Sequence, residues 1–329
     1  MPNLPEKLLT PHVEEDALAK LRKTYIHETH FDSFIEPNTV YKDAVTGKPQ
    51  MLWLTGVISL ELQALALSVF QHNSIAKEGT AAYRESAAGP HPGQAGSGII
   101  GSFDRTREHL LCRQTAFNLN HRGLFDKALP YIQAVDKQFQ VHFPEQWQHQ
   151  MFAAMFTQPE WIISGTSFST LTINKNFRTA LHKDEGDLKG SFGVMTVFRT
   201  EGFTGGDLVF PKYRVAIPYG NGDIVFANVH EWHANTEIFG EPGTYERLSC
   251  VFYQRQRIVQ CGSKADELKR VRARAVGDPL FGWVLKGIKD GKRDSFFVAE
   301  NYKGELDFED PVSLETDEFP EDLANPPNR

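Results

Sequence analysis

A histidine and an aspartate stand two apart in the stretch T-A-L-H-K-D-E-G-D, as His182 and Asp184. On an extended chain, residues i and i+2 point to the same side, so one imidazole and one carboxylate can converge on a single ion. A third ligand must then come from a distant segment. About fifty residues on, G-D-I-V-F-A-N-V-H-E-W-H-A-N-T offers two histidines, His230 and His233. Two imidazoles and one carboxylate on one face of a metal leave the opposite positions open, the ligand set of non-haem Fe(II) oxygenases. His233 is the expected third ligand, because a polar turn follows it. His230 sits on the tail of the I-V-F-A-N-V run, where a histidine packs or hydrogen-bonds.

Arg247 follows His233 by fourteen residues, and Ser249 lies two further along the same strand face. A guanidinium holds a carboxylate bidentately, and a nearby hydroxyl adds a hydrogen bond. The pair suits the distal carboxylate of 2-oxoglutarate. Fe(II), 2-oxoglutarate and dioxygen are therefore the expected cofactor and co-substrates, and decarboxylation coupled to hydroxylation of an unactivated C–H is the expected chemistry. An H-x-D pair alone occurs by chance in many chains. Its combination with a late histidine, a following arginine and strand-rich surroundings is what carries the reading.

These residues need a scaffold that brings distant strand ends together. From Trp161 the chain becomes rich in β-branched and aromatic residues, and Thr170, Thr172 and Asn174 alternate with Leu171 and Ile173, a strand with one polar face. Short strand-like runs separated by Gly-rich turns continue to about residue 255, which suggests an antiparallel barrel or jelly roll rather than βαβ units. Helical patterns precede them, in residues 51–78, where Leu60, Leu62, Leu65, Leu67, Val69 and Phe70 fall at helical spacing over four to five turns, and in the runs D-K-A-L-P-Y-I-Q-A-V-D-K-Q-F-Q-V-H-F and Q-W-Q-H-Q-M-F-A-A-M-F. The expected fold is α+β, a double-stranded β-helix core (cupin-like) with flanking helices as buttresses. The expected organisation is an N-terminal helical extension over 1–50, one oxygenase domain over 51–275, and a C-terminal segment with an acidic tail over 276–329. Within the domain, a helical buttress occupies 51–160, the β-helix core 161–257 and a basic helix 263–275. The Gly-rich stretch 79–105 reads as a loop, either a mobile segment near the substrate or a plain solvated connection.

Composition narrows the partners. No apolar run is long enough to span a membrane, and the N-terminal sequence lacks an apolar signal core, so an intracellular protein (cytoplasm or nucleus), not a secreted one, is expected. The three cysteines, Cys112, Cys250 and Cys261, contain no C-x-x-C, and their odd number argues against a disulfide framework or a disulfide-linked partner. Unpaired thiols in a reducing compartment are the expectation. The net charge is −7, and residues 304–329 hold nine acids against one base. The rest of the chain is thus near neutral, which excludes a strongly basic, salt-driven binder of bulk DNA but not a nucleic-acid substrate. Arg255 to Arg274 is the one concentrated basic stretch, read as a solvated helix face or a phosphate contact.

The strings G-I-I-G-S-F-D-R, C-R-Q-T-A-F-N, W-I-I-S-G-T-S-F-S-T-L-T-I-N-K-N-F-R-T-A-L-H-K-D-E-G-D and R-L-S-C-V-F-Y-Q-R, with the G-F-T-G-G-D-L-V-F to A-N-T-E-I run, resemble the TET/JBP family of nucleobase dioxygenases. The resemblance covers roughly residues 50–262 and is nearer the base-J thymidine hydroxylases than the animal 5-methylcytosine enzymes. It implies a double-stranded β-helix holding Fe(II) at His182, Asp184 and His233, with Arg247 anchoring 2-oxoglutarate. It further implies action on the C5-methyl of a pyrimidine in DNA, with thymine to 5-hydroxymethyluracil as the leading reaction. The alternatives are 5-methylcytosine oxidation, or an oxygenase of a small molecule, free nucleotide or protein. Asp187 matches a position that looks base-facing in relatives, and Asn174 and Arg178 are candidates for the same pocket. The base must leave the duplex to reach iron, so a stacking partner is needed, with Phe177 and Phe192 as candidates. The extra DNA-binding regions of long family members find no counterpart in this sequence, so weak duplex affinity, or a DNA-targeting protein partner, is expected.

Overall fold

The computed structural model describes residues 4–78, 95–105 and 111–274. The expectations for residues 79–94 of the Gly-rich stretch and for the acidic segment 276–329 lie outside the described residues.

The N-terminal part contains β1 (Glu6–Leu9), α1 (Glu15–Lys20), β2 (Ser33–Phe34), β3 (Val40–Asp43), β4 (Pro49–Leu54), α2 (Leu60–Phe70) and β5 (Lys77–Glu78). Next come β6 (Gly96–Phe103), β7 (Arg113–Gln114), α3 (Ala116–Asn120), α4 (Arg122–His142) and α5 (Pro144–Phe156). The strand-rich half holds β8 (Thr170–Lys175), β9 (Gly193–Arg199), β10 (Phe203–Gly205), β11 (Leu208–Phe210), β12 (Val215–Ile217) and β13 (Ile224–Ala227). It closes with β14 (Ala234–Asn235), β15 (Ile238–Gly240), β16 (Arg247–Tyr253) and α6 (Lys264–Arg274).

The large sheet has the order β1-β3-β4-β13-β9-β16-β8-β6-β5, and a four-stranded sheet has the order β14-β11-β12-β2. Strand periodicity sorts the side chains of the large sheet. Leu171 and Ile173 of β8, and Leu248, Cys250 and Phe252 of β16, pack with the helices. Thr172, Asn174, Ser249, Val251 and Tyr253, the alternate residues, line a cavity on the opposite face. The register sets Ser249 opposite Asn174 and Val251 opposite Thr172. Leu208 of β11 and Asn235 of β14 line the same cavity, which therefore lies between the two sheets. This is a double-stranded β-helix with helices buttressing one face, as the strand and helix patterns predict.

The buttress is apolar on one side because α4 buries Phe125, Ala128, Tyr131, Ile132, Val135 and Phe139, which recur at helical spacing. Fully buried aromatics such as Phe139, Phe168 and Phe252 each contribute roughly 2–3 kcal/mol through burial. Two polar ties fix the helices to the sheet. The Tyr131 hydroxyl donates to Thr196 Oγ1 of β9 at 2.9 Å. Asp136 accepts from the Ser167 amide at 2.9 Å and from Trp147 Nε1 at 3.0 Å, joining α4, α5 and the approach to β8.

Four expectations need correction. Residues 1–50 are not a helical extension: β1 and β3 join the large sheet and β2 joins the small one, leaving the six-residue α1 as their one α-helix among the described residues. The 51–160 region is likewise not purely helical, since β4 and β6 are strands of the large sheet. The end of the Gly-rich stretch is a strand rather than a loop, since its residues Gly96, Gly98 and Gly101 belong to β6. Their role is close approach: a Cβ on Gly98 would stand 1.6 Å from the Ile75 carbonyl oxygen, and one on Gly96 2.6 Å from that of Lys77. Finally, Cys112 and Cys261 form a disulfide, with Cα atoms 5.8 Å apart, leaving Cys250 as the free, buried cysteine. Neither spacing nor parity could reveal a pair separated by 149 residues. No described helix is long and apolar enough to cross a membrane.

Candidate active site

His182 and His233 face each other as an isolated antiparallel bridge. The His182 amide donates to the His233 carbonyl at 3.1 Å, and the His233 amide returns the bond at 3.0 Å. Two residues on, the Asp184 amide donates to Val229 O at 3.0 Å, which keeps the carboxylate on the same side. Residues distant in sequence are thus cross-strand neighbours, and their side chains must meet.

The ligand-type atoms of His182, Asp184 and His233 all lie within 4.8 Å of one another. His182 Nε2 is 3.2 Å from Asp184 Oδ1, and His233 Nε2 is 3.7 Å from Asp184 Oδ2. Each imidazole turns its Nδ1 to a backbone carbonyl, His182 to Ala180 and His233 to Glu231, both at 2.9 Å. A carbonyl only accepts, so the proton sits on Nδ1 and the Nε2 lone pair faces the cluster. His233 is buried, and burial, with His182 next, lowers its pKa to about 4, which favours the neutral imidazole that a metal requires. The separations approach the ~3 Å that cis ligands at about 2.1 Å from one ion demand. The three residues therefore fit a divalent metal. His230 is directed elsewhere, with Nε2 3.2 Å from Leu188 O.

The cluster opens into the cavity between the sheets, whose volume is about 560 Å³. Arg247 lies deep on β16, 1% exposed. Its Nη2 donates to Gly206 O at 2.7 Å, with the Tyr219 hydroxyl at 3.4 Å, whereas Nε and Nη1 are buried without a hydrogen-bond partner. Buried guanidinium donors without an acceptor are costly, so they mark a place for an anion. Glu246 is not that partner, as it pairs with Lys175 and accepts from Gln71. Gly206 keeps the space beside Arg247 open: a Cβ there would stand 2.7 Å from Arg247 Nε, and its φ is +73°. Ser249 and Tyr219 line the cavity next to this guanidinium. The arrangement fits the distal carboxylate of 2-oxoglutarate.

Asp187 and Asn174 also line the cavity. Asp187 bridges through its backbone to Arg255, and burial, then the Asp184 charge, raises its carboxyl well above the usual carboxylate range. A protonated carboxyl both donates and accepts, so it can pair with the edge of a neutral base. Asn174 Oδ1 accepts from Ser97 Oγ at 2.7 Å. Arg178 is not brought to the cavity. Its guanidinium donates to Glu237 at 2.8 Å and to Ile26 O at 2.7 Å, and it covers the Tyr25 ring at 4.4 Å. Phe177 and Phe192 are core residues, the first packed on Ala95 and the second on Phe143, so neither is a stacking partner for a base. Their aromatic type suggested a platform, and their burial excludes it.

The residues that sequence reading missed are Thr172, Tyr219, Tyr253 and the Arg255–Asp104 ion pair beside Asp187. The alternation that placed Ser249 with Arg247 reaches Tyr253 if it is extended. Nothing in the turn P-Y-G-N-G-D marks Tyr219.

The family model described as Tet_JBP, oxygenase domain of the 2OGFeDO superfamily, matches residues 101–256. Thymine dioxygenase JBP1 of Trypanosoma brucei brucei is 36% identical over 164 residues, covering 48% of this chain and 19% of that protein. Its namesake from Crithidia fasciculata is 35% identical over 182 residues, 54% of this chain and 22% of that one. The Leishmania infantum protein is 33% identical over 200 residues, 59% and 24% of the two chains. The matched part is thus about a fifth to a quarter of the length of these relatives. Among solved structures, NgTET1 in complex with 5mC DNA has a TM-score of 0.50 at 13% identity, covering 79% of this chain and 100% of that chain. At that identity the likeness is one of fold.

Proposed function

We propose that this chain, whose residues 101–256 match the oxygenase domain of the TET/JBP family, hydroxylates the C5-methyl of thymine in DNA, giving 5-hydroxymethyluracil. The observation that carries the reading is one cavity holding the His182, Asp184 and His233 cluster, with a buried Arg247 beside it whose Nε and Nη1 have no hydrogen-bond partner. In this reading His182, Asp184 and His233 hold Fe(II), and Arg247 with Ser249 holds the distal carboxylate of 2-oxoglutarate. Bound iron, with 2-oxoglutarate and dioxygen, supplies the oxidising chemistry.

The protein's own part is positioning. The backbone bridge between His182 and His233 fixes the two imidazoles, and their Nδ1–H bonds hold the tautomer. Arg247 orients the co-substrate from the buried end. Thr172 and Tyr253, joined through their hydroxyls at 3.0 Å, stiffen the wall facing the metal cluster. Asp187 meets the Watson–Crick edge of a base extruded from the duplex, which must leave the stack to enter a cavity of this kind. The names of the relatives support thymine. 5-Methylcytosine is the second reading, favoured by the same Asp187, because a carboxyl oxygen accepts from N4–H₂ of cytosine as readily as from N3–H of thymine.

The test is incubation with Fe(II), 2-oxoglutarate and DNA containing thymine and 5-methylcytosine, followed by digestion to nucleosides and mass spectrometry. 5-Hydroxymethyluracil with stoichiometric succinate is expected. Succinate release driven only by a small molecule, nucleotide or protein, with no oxidised pyrimidine in DNA, would sink the DNA reading. A His182→Ala variant that kept activity would sink the metal assignment.

A further inference from the structure

A second cavity of about 560 Å³ opens beside the first and shares Lys183, Glu185, Gly186 and Arg255 with it. The common wall is closed by the backbone, where the Gln256 amide donates to Gly186 O at 3.0 Å. Arg105, Lys183, Lys189, Arg255 and Arg257 line this second cavity, against the carboxylates of Asp104 and Glu185. Arg255 is committed to Asp104, and Lys183 to Glu15 at 2.7 Å. Lys189 is exposed and forms no ion pair among the described residues. Its turn is held in place: Lys189 O accepts from His149 Nε2 at 2.9 Å, and Gly190 follows at φ +80°. Arg105 ties the two sides together by donating to Gln260 O at 2.7 Å.

A local excess of cations is notable in a chain of net charge −7. Attraction for a polyanion cannot come from this protein as a whole, so it must be focused where fixed cations gather. A nucleotide whose base occupies the first cavity leaves its phosphates at that cavity's mouth. The second cavity begins at that mouth. We propose that the groove containing Lys189 and Arg257 carries the phosphodiester backbone of the strand that supplies the extruded base. This rests on DNA being the substrate, and it adds where the strand runs. Phosphate contacts of this kind set register and carry no sequence information.

The test is binding of the full-length protein to a fluorescent thymine-containing single-stranded oligonucleotide, by anisotropy across a salt series, with oxidation of the same oligonucleotide read in parallel. For the doubly substituted Lys189→Gln, Arg257→Gln protein, the slope of log affinity against log salt falls by about 1.4, the loss of two single-strand phosphate contacts. Its KM for 2-oxoglutarate stays at the wild-type value. An unchanged slope overturns the groove, whether or not the oligonucleotide is oxidised. So does a wild-type protein that fails to bind the oligonucleotide. Binding with the reduced slope but without pyrimidine oxidation keeps the groove and removes the proposed reaction instead. A lowered melting temperature in the double variant is resolved by Lys189→Gln alone, whose exposed side chain has no packing to lose and whose slope falls by about 0.7.

Discussion

At the scale of single residues, chemistry is set by what each side chain lacks. Arg247 lacks acceptors for Nε and Nη1 while being almost wholly buried. Replacing it by Gln removes a charge-assisted pair of roughly 1.5–3 kcal/mol per bond, so KM for 2-oxoglutarate rises on the order of 100-fold. Retained 2-oxoglutarate affinity in steady-state kinetics would rule out this anchor. His233 lacks solvent, and its burial depresses its pKa to about 4. The folded value lies below the unfolded one, so His233 contributes stability that is present above about pH 6.5 and is lost as pH falls towards 4. In the metal-free protein the melting temperature is expected to drop over that window, and to drop less in His233→Gln. Parallel profiles for the two proteins would show that His233 is not the titrating group. The residue types and the two-residue spacing were legible in the sequence. Flanking residues favour His233 over His230, and the geometry that separates them is a cross-strand bridge.

At the scale of elements, the N-terminal segment is tied to the site by a residue that sequence reading gave another task. Arg178 reaches back to Ile26 and Tyr25 and across to Glu237, so it links the chain after β8 to two other segments. Arg178→Ala is expected to lower stability by about 1–3 kcal/mol, through two charge-assisted bonds, the one to Glu237 partly exposed, and one cation–ring contact, and to leave KM for DNA unchanged. Denaturant unfolding and substrate kinetics on one preparation separate the outcomes, and a raised KM with intact stability would return Arg178 to the pocket. The strand alternation of β8 and β16 could be read directly, because a period of two is a local property of the backbone. The β6 glycines were opaque for the opposite reason. Their need for close approach depends on Ile75 and Lys77, brought alongside by strand pairing.

At the scale of the whole molecule, the Cys112–Cys261 disulfide joins the loop after β6 to the approach to α6. It closes a loop of 149 residues, for which the chain-entropy account gives up to roughly 5 kcal/mol, with 2–4 kcal/mol typical of measured cases. Cys261→Ser should lower the melting temperature in non-reducing buffer, and the difference should vanish when a reductant is added to both proteins. Equal melting without reductant would show that the thiols are unpaired in solution. The same two loops carry Arg105 and Arg255–Arg257, so the staple also spans the proposed strand path.

By itself the sequence singled out the candidate ligands, the candidate co-substrate anchor and the alternation of strand faces, because each rests on residue type and local spacing. Tertiary structure decided the rest. It set His233 against His182, left Arg247 with buried donors and no acceptor, and withdrew Arg178, Phe177 and Phe192 from the cavity. It also placed cations from separate loops beside one mouth. These are long-range contacts, fixed by how sheets and helices close around a core, and no local pattern in the chain encodes them.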